Sequence, residues 1–143
     1  MKIVDTNVLL NGVNEAAETH ELARDWIIAA LAGDEAIGFS WLVIVAFLRL
    51  STRSYAFPTP LDVGHSSQLV GGWLSTPAAV IADPGPRHAA ILFDLLDVVG
   101  TGGNLVNDAH LAALAIEHGA EVVSFDTDFA RFPGLRWHRL GGP

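Results

Sequence analysis

The chain has 143 residues, half of them hydrophobic, with sixteen Asp and Glu against eight Lys and Arg and no cysteine. This length fits a single domain, residues 1–143, able to bury a core of its own. The composition excludes disulfides and thiolate metal sites, and the acidic balance argues against the broad basic face that nonspecific DNA binding needs.

The longest apolar run, WLVIVAFL at 41–48, is too short to cross a bilayer. Residues 1–15 lack the basic-then-apolar layout of a secretion signal, so a cytoplasmic protein without membrane association is expected. Taken in order, KIVD at 2–5 reads as a short buried strand, and TNVLLNGV opens a helix that Thr6 or Asn7 would cap. From Glu18 to Ala32 the residues Leu22, Trp26, Ile27, Ala30 and Leu31 share one helical face, and Gly33 stops the helix. AIGFS at 36–40 is a short strand or a turn, and a helix over 41–52 carries Arg49 near its end. FPTP at 57–60 breaks the chain before a helix over 61–74, and AAVIAD at 78–83 is a strand. A helix follows with Pro86 in its first turn. NLVNDAHLAALAIEHG at 104–119 is a strong helix stopped by Gly119, EVVSFD is a strand, and LRWHRL at 135–140 is a last one. This alternation predicts an α/β fold with helices on both faces of a mostly parallel sheet of four to five strands.

In such folds ligands gather beyond the carboxyl ends of the strands. Asp5 closes the first strand, Asp126 closes a later one, and Asp108 sits near the start of the helix just before that later strand. Any one of these residues taken alone reads as a helix cap. Together at one sheet edge they read as a shared site, because clustered carboxylates repel one another unless a cation neutralises them. Ligation by oxygen alone selects a hard ion, Mg²⁺ or Mn²⁺, and such ions suit phosphoryl chemistry. Asn104, four residues before Asp108, either orients that carboxylate or caps the helix. Arg49 and Arg53 either favour a helix C-terminus or contact phosphate. No histidine pair has zinc spacing; His110, two residues after Asp108, is the one histidine kept near the site. Trp26, Trp41, Trp73 and Trp137 read as core.

The stretches VDTNVLL at 4–10, NLVNDAHLAALAIEHG at 104–119 and VVSFDTDFARFPGLRW at 122–137 together resemble the PIN-domain ribonucleases, and within them the VapC toxins of bacterial toxin–antitoxin pairs. The resemblance implies a three-layer α/β/α domain and a Mg²⁺- or Mn²⁺-dependent endoribonuclease that cleaves structured RNA such as tRNA or rRNA. It implies a homodimer silenced by a cognate antitoxin protein. Carried over by motif, Asp5, Asp108 and Asp126 would hold the metal, with Asp128 assisting directly or through water. Asn7, Asn104 and Ser124 would be supporting polar groups, and Arg49 and Arg53 candidates for substrate contact.

One departure stands out. The family carries a Glu shortly before the arginine of its third helix, where this chain has Ala46, and no carboxylate lies between Glu35 and Asp62. Asp94 and Asp97 are conceivable replacements. The departure motivates an alternative function, a catalytically weakened PIN module that binds RNA or a protein. A phosphoacceptor of the response-regulator kind is disfavoured, because its usual lysine has no counterpart beyond Lys2.

Overall fold

The computed structural model describes residues 1–143. Five strands, β1 (Lys2–Val4), β2 (Ile37–Phe39), β3 (Ala79–Ile81), β4 (Glu121–Ser124) and β5 (Arg136–Arg139), form one sheet in the order β3-β2-β1-β4-β5. Every pairing is parallel, with Ile3 level with Gly38 on one side and Val122 on the other. Six helices accompany them: α1 (Thr6–Val13), α2 (His20–Ala32), α3 (Trp41–Ser51), α4 (Val63–Leu74), α5 (His88–Val99) and α6 (Leu105–His118). A 3-10 turn, Thr127–Arg131, lies between β4 and β5.

Neighbouring residues of a strand face opposite sides of the sheet. Ile3 and Val4 of β1, and Val122 and Val123 of β4, are all buried, so both faces of the central strands are covered. The α/β/α layering follows from that. The strand order reverses direction between β1 and β4, the place where an open parallel sheet leaves a crevice at its carboxyl edge.

Several helix starts are fixed by side chains. Asp5, in extended backbone, caps α1; Ser40 caps α3 through Val43 N–H at 3.2 Å; Asp62 caps α4 through His65 N–H at 2.7 Å. The α1 cap is thus the strand-ending Asp5 and not Thr6 or Asn7, because the turn begins one residue earlier than the apolar periodicity indicates. Pro86 lies in the turn before α5 and not in its first helical turn, since the helix begins at His88. That turn is held from outside: Glu117 of α6 accepts from Gly85 N–H at 2.7 Å and from Arg87 N–H at 2.8 Å. A Cβ at position 85 would stand 2.6 Å from Glu117 Oε2 and push that carboxylate off the turn. Gly119 ends α6 in the left-handed conformation at φ 63°.

Candidate active site

The carboxyl edge of β1 and β4 opens into a groove of about 890 Å³. Its lining includes Asp5, Asn7, Asn104, Asp108, Asp126 and Asp128 on one side and α3 residues Trp41, Val45, Ala46 and Arg49 on the other.

Ser124 is the buried hub beneath it. Its hydroxyl donates to Asp5 Oδ2 at 2.6 Å and accepts from Asn7 Nδ2 at 3.0 Å and from Asp126 N–H at 2.9 Å. Asn7 Oδ1 accepts from Phe125 N–H at 3.2 Å, so α1 is pinned to the end of β4. Asp5 Oδ1 accepts from Thr6 N–H at 2.7 Å. Asp126 Oδ1 accepts from Asp128 N–H at 2.9 Å, which turns the chain so that the second carboxylate faces the groove beside the first. Residues separated by more than a hundred positions thereby converge because parallel strands end at one edge.

The closest carboxylates are those of Asp108, Asp126 and Asp128, each offering an oxygen within 4.8 Å of the others. Asp5 lines the same groove but stands outside that group, with each oxygen held by a donor. Burial raises the Asp5 pKa against the lowering effect of Ser124 and Thr6, and the Asp126 charge raises it further. Asp108 is pushed up to about 7, first by burial and then by the charges of Asp5, Asp126 and Asp128. No Lys or Arg pairs with any of the four; the ion pairs of the molecule involve Glu35, Asp25 and Glu117. An all-oxygen set with uncompensated negative charge fits a hard divalent cation.

Several expectations change on contact with the geometry. Asn104 lines the groove, but its side chain makes no capping bond. Arg49 faces the groove; Arg53 does not line it, because α3 has ended and its guanidinium lies over the Tyr55 ring at 5.9 Å. His110 points away from the carboxylates toward α5, where its Nδ1 lies 3.0 Å from His88 Nε2; two helical positions from Asp108 place it on another face. Burial, and then His88, lower its pKa. Asp94 and Asp97 are on α5 and do not line the groove, so they do not replace the missing Glu. Ala46 does line it. Trp41 is 55 % exposed on the groove wall and is not core, since a residue at the first turn of α3 overhangs the sheet edge. Thr6 and Asn107 also line the groove; the sequence offers Thr6 only as a helix cap and does not mark Asn107. Asn107, three positions after Asn104 on α6, was open to the same helical-face reasoning.

The fold and the acidic groove define a PIN domain, and the sequence model of that family matches residues 2–135. The chain belongs to the PIN-domain family. Its relatives within it are VapC ribonucleases: it is 52% identical to Ribonuclease VapC37 of Mycobacterium tuberculosis over 96% of this chain and 95% of that protein. It is 39% identical to Ribonuclease VapC33 of the same species, over 96% of each chain. Among solved structures, the sarcin–ricin loop cleaving toxin VapC20 of Mycobacterium tuberculosis superposes with a TM-score of 0.69 at 15% identity, covering 95% of this chain and 99% of that one. The VapBC2 complex of Rickettsia felis, bound to promoter DNA, gives 0.68 at 17% identity, covering 96% and 97%. At those identities the structural matches speak for the fold.

Proposed function

We propose that this protein is an endoribonuclease toxin of the VapC kind, held inactive by an antitoxin protein, and that it hydrolyses structured RNA with Mg²⁺ or Mn²⁺ at the groove. The observation that carries the reading is the trio Asp108, Asp126 and Asp128, unpaired with any cation and open to a groove between two helices. The names of the VapC relatives, and the VapBC complexes among the structural matches, support the toxin and antitoxin parts. VapC20, a toxin of the same fold, cleaves the sarcin–ricin loop, which favours structured RNA as the substrate class.

In this reading Asp108, Asp126 and Asp128 would hold the ion, with Asp5 adding charge beside them. When bound, a divalent ion would supply Lewis-acid polarisation of a phosphate oxygen and make a water on it more acidic. The chain's own residues do the positioning. Ser124 fixes Asp5 and the Asp126 backbone in one network, so the carboxylates are preorganised. Asn7 ties α1 to that network. Arg49 supplies a donor fork for a phosphate at the opposite wall. Exposed apolar residues on α3 (Trp41, Val45) and α5 (Phe93, Val98) support burial against a second copy or the antitoxin.

Ala46 favours a second reading, a PIN module that binds RNA with little cleavage. Single-turnover incubation with total tRNA and ribosomal RNA in Mn²⁺ separates the two. Cleavage that is abolished by chelator and by Asp126→Asn supports the nuclease; RNA binding without cleavage supports the weakened module.

A further inference from the structure

The charge of the chain is divided in space. All sixteen acidic residues fall within positions 1–128, together with five of the eight Lys and Arg; from Phe129 to Pro143 there is no carboxylate side chain, and Arg131, Arg136 and Arg139 are joined by His138. These four lie on the 3-10 turn and on β5, the edge strand next to β4, and all four are exposed. None of the three arginines pairs with a carboxylate, whereas Lys2 and Arg24 do. Arg136 gives one Nη2–H to Gly119 O at 2.7 Å, which fixes its stem and leaves its other donors outward.

The register places the Arg139 end of this strip beside the site, while Arg136, level with Glu121, lies at the far end of the strand and, with His138, on the face opposite Arg139. Ser124 is level with Arg139, and the strands are parallel, so Arg139 ends its strand at the same edge as Ser124 and Asp126. Adjacent strands are spaced by about 4.8 Å, so the cations begin one strand outward from the acidic groove. The strip is not a general guard against edge pairing. β3, the opposite edge strand, consists of Ala79, Val80 and Ile81 and carries no charge.

We infer that the edge formed by β5 and the 3-10 turn is a docking strip for the RNA backbone, which grips phosphates flanking the one presented to the carboxylates. The inference rests on the nuclease reading above. A protein with a net charge of −8 repels a polyanion at distance. Local guanidinium forks beside the acidic groove offset that repulsion and set the direction in which the strand leaves the site. Because the contacts are to phosphates, they add affinity without base preference.

The test replaces two arginines that the fold does not use, Arg131→Gln with Arg139→Gln, in an Asp108→Asn background that keeps RNA intact. Binding of a fluorescent RNA hairpin is followed by anisotropy between about 50 and 200 mM salt. Loss of two phosphate contacts lowers the slope of log affinity against log salt by about 1.4–1.8. From about 50 to 200 mM salt the protein with both arginines therefore loses about tenfold more affinity than the double variant. Arg131→Gln alone should show about half the change in slope, and Arg131→Lys with Arg139→Lys should keep the slope, because a point charge still meets a phosphate. On active protein, the double variant should raise KM for the hairpin at unchanged kcat and leave cleavage of a dinucleotide, whose single phosphate is the one presented to the carboxylates, unaltered. Equal slopes in protein that binds and cleaves RNA overturn the strip and leave the nuclease reading standing. If the double variant then self-associates in size-exclusion chromatography, the arginines are edge guards. Absence of both binding and cleavage by the wild-type chain overturns the strip and the nuclease reading together.

Discussion

Replacing Asp108 by Asn should make the metal-free protein more stable, and more so at higher pH. In the fold its carboxyl is pushed from 3.8 up to about 7 by burial and by Asp5, Asp126 and Asp128. Between those two values the folded state binds more protons than the unfolded state, so stability falls as pH rises through the window. At face value such a displacement corresponds to about 4 kcal/mol. Asp108 is partly exposed to solvent, and screening reduces the figure to about 2 kcal/mol. Asn keeps the shape and removes the ionisation. Thermal unfolding in chelator should therefore give Asp108→Asn a midpoint about 6 °C above wild type near pH 8, and only about 2 °C above it near pH 4. Saturating Mn²⁺ should reverse the order, because ligand binding to the folded state then favours wild type. An equal gain at both pH values, or a loss near pH 8, would refute the like-charge account of the groove.

Ser124→Ala removes the donor to Asp5 Oδ2 and the acceptor for Asn7 Nδ2 and the Asp126 N–H. Leaving those groups unmatched should cost about 1–3 kcal/mol by urea unfolding; an unchanged midpoint would mean that the hub does not organise the edge. Ala46→Glu should tighten Mn²⁺ binding in calorimetry by roughly tenfold or less, since added charge is offset by desolvation and by repacking around a former methyl. Equal affinities in two folded proteins would put the ion away from α3. Gly85→Ala should lower the unfolding temperature, because its Cβ would meet Glu117 Oε2 at 2.6 Å and displace the carboxylate that holds the turn before α5. A wild-type unfolding temperature in that variant would show that the turn has another fixed point.

The sequence carries the sheet and the site to different depths. Alternating strand and helix patterns reveal the α/β architecture, and the strand-ending positions of Asp5 and Asp126 reveal the edge at which they meet. The order of strands is not local information, yet it alone brings Asp108, on a helix, to face Asp126 and Asp128. That is why the sequence pairs Asp5 with Asp108 and Asp126, while the fold draws Asp128 closest and gives both Asp5 oxygens hydrogen-bond partners. Trp41 reads as core because periodicity cannot distinguish the buried side of a helix from the wall of a groove. Arg53 reads as a neighbour of Arg49, but the helix stops at Ser51, so the spacing of four no longer means a shared face. His110 fails for the converse reason, as it is close in sequence and turned away in space.

The most direct measurement is anomalous diffraction from crystals of this protein soaked in Mn²⁺. A peak among the carboxylates of Asp108, Asp126 and Asp128, next to Asp5 and facing Ala46, is the expected result, and it should vanish in Asp126→Asn. No peak in the groove at millimolar Mn²⁺, or an ion held by other residues, would contradict the assignment of this acidic edge as a divalent-cation site.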